Sequence, residues 1–141
     1  MWLFKGKEFK ESDIPDDAVG FIYEISGIVD GKSVRYIGKK NFYSETKKKM
    51  GKKELAAVTD KRLKKYTMQK KLAYQNYYSS NDLLKQAHKD GIVLKRDILH
   101  ICFSATELTY MECKYQFAFG VLESDEFLNG NILGKFFKFK N

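Results

Sequence analysis

The sequence is poor in the residues that cross-link small domains or hold structural metals. Among 141 residues there are one proline, two cysteines and two histidines. Cys102 and Cys113 fall in separate predicted elements, so we expect two reduced, buried thiols in a cytoplasmic protein. His88 and His100 show no metal-ligand spacing, so no zinc site is indicated. No apolar run is long enough for a bilayer and no secretory signal is recognisable, so we expect no membrane partner.

Apolar and aromatic residues are abundant in the same chain. Hydrophobic residues make up 43% and aromatic residues 15% of the sequence, which is typical of a globular rather than a disordered protein. The length favours a single domain over residues 1–141. Within it we expect an N-terminal lead-in at 1–18 and a lysine-rich insertion at 39–60.

Positive charge is in excess and unevenly distributed. The formal net charge is +8, which favours an anionic partner, most simply nucleic acid. Tyrosines flank the basic stretch, and rings beside cations favour contacts with bases and phosphates. A solvated basic loop explains the charge alone equally well. The cations of the stretch are Lys47, Lys48, Lys49, Lys52, Lys53, Lys61, Arg62, Lys64, Lys65, Lys70 and Lys71.

Two aromatic triplets precede this stretch. Phe21-Ile22-Tyr23 and Tyr36-Ile37-Gly38 each lie in a segment rich in strand-forming residues. Asp30-Gly31 between them is a hairpin signal. A hairpin places the two phenols near one another, although both could simply be strand aromatics.

The remainder of the pattern predicts alternating helices and a further strand. We predict loop over most of 39–60, helix over 61–78, helix over 82–89, strand over 92–103 and helix over about 104–122. The apolar tail after residue 129 is expected to pack back, with its phenylalanines in the core. The predicted fold is a small α+β domain with a three-stranded antiparallel or mixed sheet flanked by helices.

Glu112 lies in the middle of the last predicted helix, at the edge of its apolar face. One interpretation is a surface glutamate paired with Lys114 or Lys135. The other is an inward carboxylate that binds Mg²⁺, a cation that prefers oxygen ligands. Helical spacing alone leaves both open.

Taken together, these residues resemble the GIY-YIG nuclease superfamily, and most of all the phage Seg-type endonucleases. Phe21-Ile22-Tyr23 matches the first motif, with Phe in place of its usual Gly, and Tyr36-Ile37-Gly38 matches the second. Glu112 lies where the family has its metal-binding glutamate, and Asn129 or Asn131 where a late asparagine is expected.

The resemblance covers roughly residues 19–137 and implies roles for individual side chains. Tyr23 and Tyr36 line the site, and one of them deprotonates or orients the attacking water. Lys39 supplies a positive field, and Glu112 binds one Mg²⁺ or Mn²⁺. The residues expected to contact nucleic acid are Gly38, Lys40, Lys47, Lys48, Lys49, Lys52, Lys53, Lys64, Lys65, Asn129 and Asn131.

The chain departs from the family where an arginine normally follows the second motif. The usual spacing from Gly38 falls on Thr46, and the only arginines are Arg35, Arg62 and Arg96. Either the lysine-rich stretch is an insertion that displaces the arginine, or the arginine is absent and activity is reduced. Lysine lacks the bidentate fork of a guanidinium, so a lysine would be an imperfect replacement.

The insertion is the hypothesis we favour, with Arg62, or else Lys65, in the arginine's role. Tyr78, or Tyr74, would then stand in for the histidine or tyrosine that often follows it.

The resemblance implies a Mg²⁺-dependent endonuclease that hydrolyses duplex or branched DNA by one-metal water attack. We expect low intrinsic sequence specificity, or specificity lent by a partner protein, and make no prediction of oligomeric state. The alternatives are a catalytically weak nucleic-acid-binding module of the same fold and a phage regulatory protein. If the chain is phage-encoded, the compartment is the host cytoplasm.

Overall fold

The computed structural model describes the backbone of residues 1–49 and 66–139, and their side chains except those of 46–49 and 66–69. The strands are β1 (Trp2–Phe4), β2 (Lys7–Phe9), β3 (Gly20–Val29), β4 (Lys32–Asn41), β5 (Tyr43–Lys49), β6 (Tyr66–Leu72), β7 (Lys95–Cys102), β8 (Asn131–Ile132) and β9 (Phe136–Phe137). The helices are α1 (Asp82–Lys89) and α2 (Ala105–Ala118), with a 3₁₀ turn at Glu11–Asp13.

The central sheet has five strands in the order β2-β1-β7-β3-β4. Strands β3 and β4 form the predicted antiparallel hairpin, and Tyr23 lies opposite Gly38. Strand β7 pairs antiparallel with β3 and parallel with β1, so the sheet is mixed. The α+β class is confirmed.

The prediction of three strands is wrong, because the lead-in at 1–18 contributes β1 and β2. Each of these strands has only three residues, which is too short for a recognisable alternation of apolar and polar residues. They are joined by a tight turn in which Lys5 and Gly6 both have positive φ angles, 51° and 79°. Such a turn suits a two-residue hairpin.

The predicted helix over 61–78 is also wrong where the structure describes it. Residues Tyr66–Leu72 form β6, which pairs antiparallel with β5 in a separate two-stranded ribbon. The residues of 66–72 are compatible with a strand as well as with a helix. Pairing with the backbone of β5 favours the strand. The ribbon also replaces much of the loop expected over 39–60.

The later elements agree with the prediction. Asn81 caps α1 by accepting hydrogen bonds from the amides of Leu83 and Leu84, at 3.0 and 3.2 Å. Ser104 caps α2 by accepting from the amide of Glu107 at 3.0 Å. Helix α2 ends at Ala118, earlier than predicted, and the chain reverses at Gly120, whose φ is +61°. Neither helix is long and apolar enough to cross a membrane.

A hydrophobic cluster lies on each side of the sheet. The cluster that contains the first tyrosine comprises Trp2, Phe9, Ala18, Phe21, Tyr23, Ile25, Val34, Phe42, Tyr74, Leu84 and Ile98. The cluster beneath α2 comprises Ile22, Ile37, Cys102, Leu108, Met111, Val121, Leu122, Phe127 and Ile132. Alternation along β3 divides its side chains between the two.

Both cysteines are free thiols, and Cys102 is buried as expected, whereas Cys113 is only partly buried. The prediction that the tail phenylalanines are core residues is wrong. Ile132 of β8 takes the buried position, whereas Phe136, Phe137 and Phe139 are 51%, 62% and 65% exposed.

Candidate functional site

Tyr23 is a fully enclosed side chain, only 1% exposed. Its ring packs edge-on against Trp2 and stacks on Tyr36 at 6.3 Å between centroids. The phenol passes directly over Gly38, so that a Cβ there would lie 2.6 Å from its oxygen. Glycine at position 38 is therefore required by the packing of the first motif on the second, whatever it contributes to substrate contact.

A third tyrosine joins this pair. The Tyr77 hydroxyl lies 3.3 Å from the Tyr23 hydroxyl, within hydrogen-bond distance. The Lys40 ammonium lies 4.5 Å above the Tyr77 ring, a cation–π distance. Tyr77 was missed in the sequence because it adjoins Tyr78, and neither spacing nor composition separates two neighbouring tyrosines in a loop.

Tyr78 and Tyr74 were predicted to stand in for the histidine or tyrosine that often follows the family's arginine. Neither side chain lies beside Tyr23 in the way that Tyr77 does. Tyr78 stacks on His88 at 3.6 Å and is covered by the Arg96 guanidinium. Tyr74 is buried in the core, where its carbonyl accepts a hydrogen bond from the Trp2 indole. It is the Tyr77 hydroxyl that lies beside that of Tyr23.

The segment that carries Tyr77 is held rigidly. Arg96 donates from Nη1 to the carbonyls of Gln75 and Tyr77, at 3.0 and 2.9 Å. Ser79 is buried and has a φ of +81°, an uncommon conformation for a residue with a Cβ. Such strain persists only where the surroundings impose it.

Lys39 and Glu112 meet on the α2 side of the hairpin. The Lys39 ammonium donates to the Thr109 hydroxyl at 3.1 Å, and Thr109 lies about one turn before Glu112. Burial raises the pKa of the Glu112 carboxyl, and the Lys39 ammonium and amide partly oppose that rise. The Glu112 carboxyl is therefore partly removed from water, and Lys39 offsets only part of the cost of burying its negative charge.

The pKa values of Tyr36 and Tyr23 depend on burial and on neighbouring groups. Burial is the main cause that raises the pKa of Tyr36, and the nearby Tyr77 and Glu112 raise it further. Burial, with Tyr77 second, also raises the pKa of Tyr23 above its usual range. A phenol that acts as a general base needs a lowered pKa. These shifts favour neutral phenols that donate and accept hydrogen bonds.

The raised pKa of Tyr23 predicts a specific alkaline instability. Above pH about 10, the unfolded chain releases a phenolic proton that the folded chain retains, so stability falls as pH rises, by up to about 1.4 kcal/mol per pH unit. We expect Tyr23→Phe to reduce this slope in urea unfolding between about pH 10 and 12. A remainder is expected from the other groups whose pKa burial raises, among them Tyr36, Tyr74 and Cys102. The matched change Tyr110→Phe, at a 67% exposed ring, should leave the slope unchanged. Equal slopes in wild type and Tyr23→Phe would contradict the assignment.

These side chains surround the edge strand β4. Tyr36, Gly38 and Lys40 alternate with Lys39, so the first three face the tyrosines and Lys39 faces α2. An open cleft of about 450 Å³, the edge cleft, lies beside this strand. Its lining includes Lys39, Lys40, Tyr77 and Thr109. Two lysines beside a tyrosine hydroxyl in a surface cleft suit the binding of a phosphodiester.

The comparison with family models decides the identity of this arrangement. Residues 2–132 match the model described as "Putative endonuclease segE, GIY-YIG domain". The chain belongs to the GIY-YIG endonuclease family. No curated protein and no solved structure gives a significant match. A nuclease is the function class that membership indicates. The edge cleft is lined by Lys39 and Lys40, which directly follow the second motif.

Asn129 of this GIY-YIG domain has a structural role, because its side chain is bonded to the backbone of the second motif. It is 3% exposed, donates from Nδ2 to the carbonyl of Ile37 at 2.8 Å, and accepts from the Ile37 amide at 3.0 Å. Its amide therefore braces the second motif and is not free for a phosphate, contrary to the role expected from the sequence. Asn131 is exposed, and its side chain accepts from the Gly134 amide in the tail turn.

The brace predicts a large difference between the two asparagines. Asn129→Ala removes two buried hydrogen bonds to Ile37 and should lower the free energy of unfolding by about 2 to 4 kcal/mol. Asn131→Ala removes one exposed bond and should cost less than about 1 kcal/mol. Urea unfolding of the two variants measures this. Similar losses would show that the Ile37 brace does not stabilise the domain.

The arginines of the described residues lie away from the edge cleft. Arg35 pairs with Glu24 at 2.7 Å and Glu126 at 3.1 Å. Arg96 is buried beneath Trp2 and Tyr78. Arg62, Lys52, Lys53, Lys64 and Lys65 lie outside the described residues, and the side chains of Lys47, Lys48 and Lys49 are likewise not described. The arginine expected from the family thus has no counterpart at the cleft within the part that the structure describes.

GIY-YIG nucleases are metal-dependent, and Glu112 fits the family's requirement for an oxygen ligand. Its carboxylate is half-buried, and its raised pKa shows that Lys39 compensates the negative charge only in part. A divalent cation would complete that compensation. Mg²⁺ commonly uses one or two protein carboxylates and takes its other ligands from water and phosphate.

Proposed function

We propose that this chain is a Mg²⁺-dependent endonuclease that hydrolyses DNA phosphodiester bonds at the edge cleft, with Glu112 as the ligand of one Mg²⁺ or Mn²⁺. The observation that supports the proposal is the contact of the Lys39 ammonium with Thr109, one turn before Glu112 on α2, beside the strand edge that carries Tyr36. Pure binding of nucleic acid does not require a half-buried carboxylate beside Lys39.

Each side chain has a role that its surroundings support. Lys39 and Lys40 attract the phosphate backbone, which carries the larger part of non-specific affinity. Tyr36 and Tyr77 orient the attacking water or a phosphate oxygen through their hydroxyl groups. Tyr23 is a positioning residue, because it is buried and acts through its hydroxyl contact with Tyr77. The metal would stabilise negative charge that develops on the phosphate and the leaving oxygen.

The described surface favours low sequence specificity. Lysines and phenols at the edge cleft contact phosphates and sugars, and such contacts fix position without distinguishing base pairs. We propose that any preference comes from DNA structure or from a partner protein.

Cleavage in water enriched in oxygen-18 tests the mechanism. A labelled duplex cut by water attack should gain one heavy oxygen on each newly formed terminal phosphate. A phenol that attacked the phosphorus would instead leave DNA attached covalently to the protein in denaturing gels. That product would contradict the water mechanism.

The absence of an arginine at the edge cleft, within the described residues, favours a second candidate. A catalytically weak binding module would bind the same duplex with strong salt dependence and release no product in Mg²⁺ or Mn²⁺. The oxygen-18 experiment separates the two functions, because only the nuclease yields labelled ends.

A further inference from the structure

Three potential metal ligands meet at a second place, where β7 ends and α2 begins. Their ligating atoms, from His100, Cys102 and Glu107, lie within 4.8 Å of one another. The His100 Nε2 and Glu107 Oε2 atoms are 3.7 Å apart. Two residues separated by one position on a strand share a face, which brings His100 and Cys102 together. Sequence spacing gave no hint of this group, because the third member lies on the following helix.

The carboxylate is already oriented by a hydrogen bond at the helix start. Glu107 accepts from the Phe103 amide through Oε1 at 2.6 Å, while its own amide donates to the Ser104 cap. This leaves Oε2 as the oxygen that faces His100. The Glu107 carboxylate is therefore oriented before any ion binds.

One side of this group is buried and the other, the rim formed by His100 and Glu107, is open to solvent. Cys102 is 0% exposed, whereas the side chains of His100 and Glu107 are 35% and 37% exposed. An ion held between them would have the thiol beneath it and solvent above. The open side provides a position for a water ligand.

We propose that this group binds one Zn²⁺ through Cys102 Sγ, His100 Nε2 and Glu107 Oε2, with water as the fourth ligand. Zinc bonds of about 2.0 to 2.3 Å in a tetrahedron place neighbouring ligand atoms about 3.3 to 3.8 Å apart. The His100–Glu107 separation meets this distance, and the thiol requires an adjustment of about 1 Å. A thiolate with an imidazole selects zinc over Mg²⁺, which prefers oxygen alone.

Binding converts the thiol to a thiolate. A cysteine thiol carries its proton at neutral pH, whereas zinc binds the thiolate. The zinc–sulfur bond forms as the sulfur–hydrogen bond breaks, and the proton passes to solvent. No oxidant or reductant is involved.

The zinc would join the end of β7 to the first turn of α2. Glu107 and Glu112 are five residues apart, which places them about 140° apart around the helix. The two metals therefore occupy different sides of α2. The inference is independent of the proposed function, because neither His100 nor Cys102 lines the edge cleft.

Cobalt substitution tests the site on the full chain, stripped of metal with a chelator and then titrated with Co²⁺. We expect one equivalent to produce a thiolate-to-cobalt charge-transfer band in the near ultraviolet and tetrahedral bands in the visible, all removed by Zn²⁺. Cys113→Ser should retain the band and Cys102→Ser should lose it. Absence of Co²⁺ binding, binding without the thiolate band, or loss of the band in Cys113→Ser would overturn the proposal.

The rim variants guard against failure of Cys102→Ser to fold. His100→Asn and Glu107→Gln should each weaken Co²⁺ binding at least about tenfold, with an unchanged circular dichroism spectrum. Glu112→Gln should leave Co²⁺ affinity at this site unchanged, which separates it from the catalytic metal. Undiminished affinity in both rim variants would refute the ligand set.

Discussion

Glu112→Gln is expected to lower metal-dependent DNA cleavage by more than about 100-fold while DNA binding persists. The change keeps the shape of the side chain but removes the negative charge that Mg²⁺ requires. Lys39 and Lys40 remain to hold the phosphate backbone. Cleavage of a supercoiled plasmid measures activity, and fluorescence anisotropy of a labelled duplex measures binding.

Glu123→Gln is the matched control, because Glu123 is an exposed glutamate beyond the end of α2. It should cleave at the wild-type rate. Cleavage by Glu112→Gln within a few-fold of wild type would show that the reaction does not depend on this carboxylate.

Gly38→Ala should damage both stability and activity. The added Cβ would lie 2.6 Å from the Tyr23 oxygen and 2.8 Å from its Cζ, distances that real Cβ atoms essentially never show. Because Tyr23 is enclosed by Trp2 and Tyr36, its ring has little room to move. We expect a loss of about 1 to 3 kcal/mol in the free energy of unfolding, together with displacement of the phenol from Tyr77.

Gly130→Ala provides the control for this substitution. No atom lies within 4 Å of a Cβ at position 130, and Gly130 does not have a positive φ. It should unfold within about 0.5 kcal/mol of wild type. The double variant Gly38→Ala/Tyr23→Phe should recover part of the lost stability, since the closest atom is removed. Wild-type stability of Gly38→Ala would contradict the packing argument.

The parts of the fold that follow from local pattern were predictable. The Asp30-Gly31 turn and two apolar segments predicted the β3–β4 hairpin, and the helices predicted over 82–89 and from about 104 correspond to α1 and α2. The spacing along α2 predicted Glu112 at the edge of the packed face, and the structure shows it half-buried there. Its neighbour Lys39 was not predicted from that spacing.

The parts decided by distant partners were not predictable. β1 has three residues and exists because β7 and β2 supply its partners. The choice between Tyr77 and Tyr78 depends on the Arg96 bonds that hold the loop, and no periodicity encodes these. Asn129 braces Ile37 across 92 positions of sequence.

Incubation of the full chain with supercoiled plasmid in Mg²⁺, beside an identical sample with excess chelator, tests the central claim most directly. The account predicts nicked and then linear plasmid in Mg²⁺ alone. Plasmid that stays supercoiled in Mg²⁺ and Mn²⁺, at protein concentrations where anisotropy shows the DNA fully bound, would contradict it.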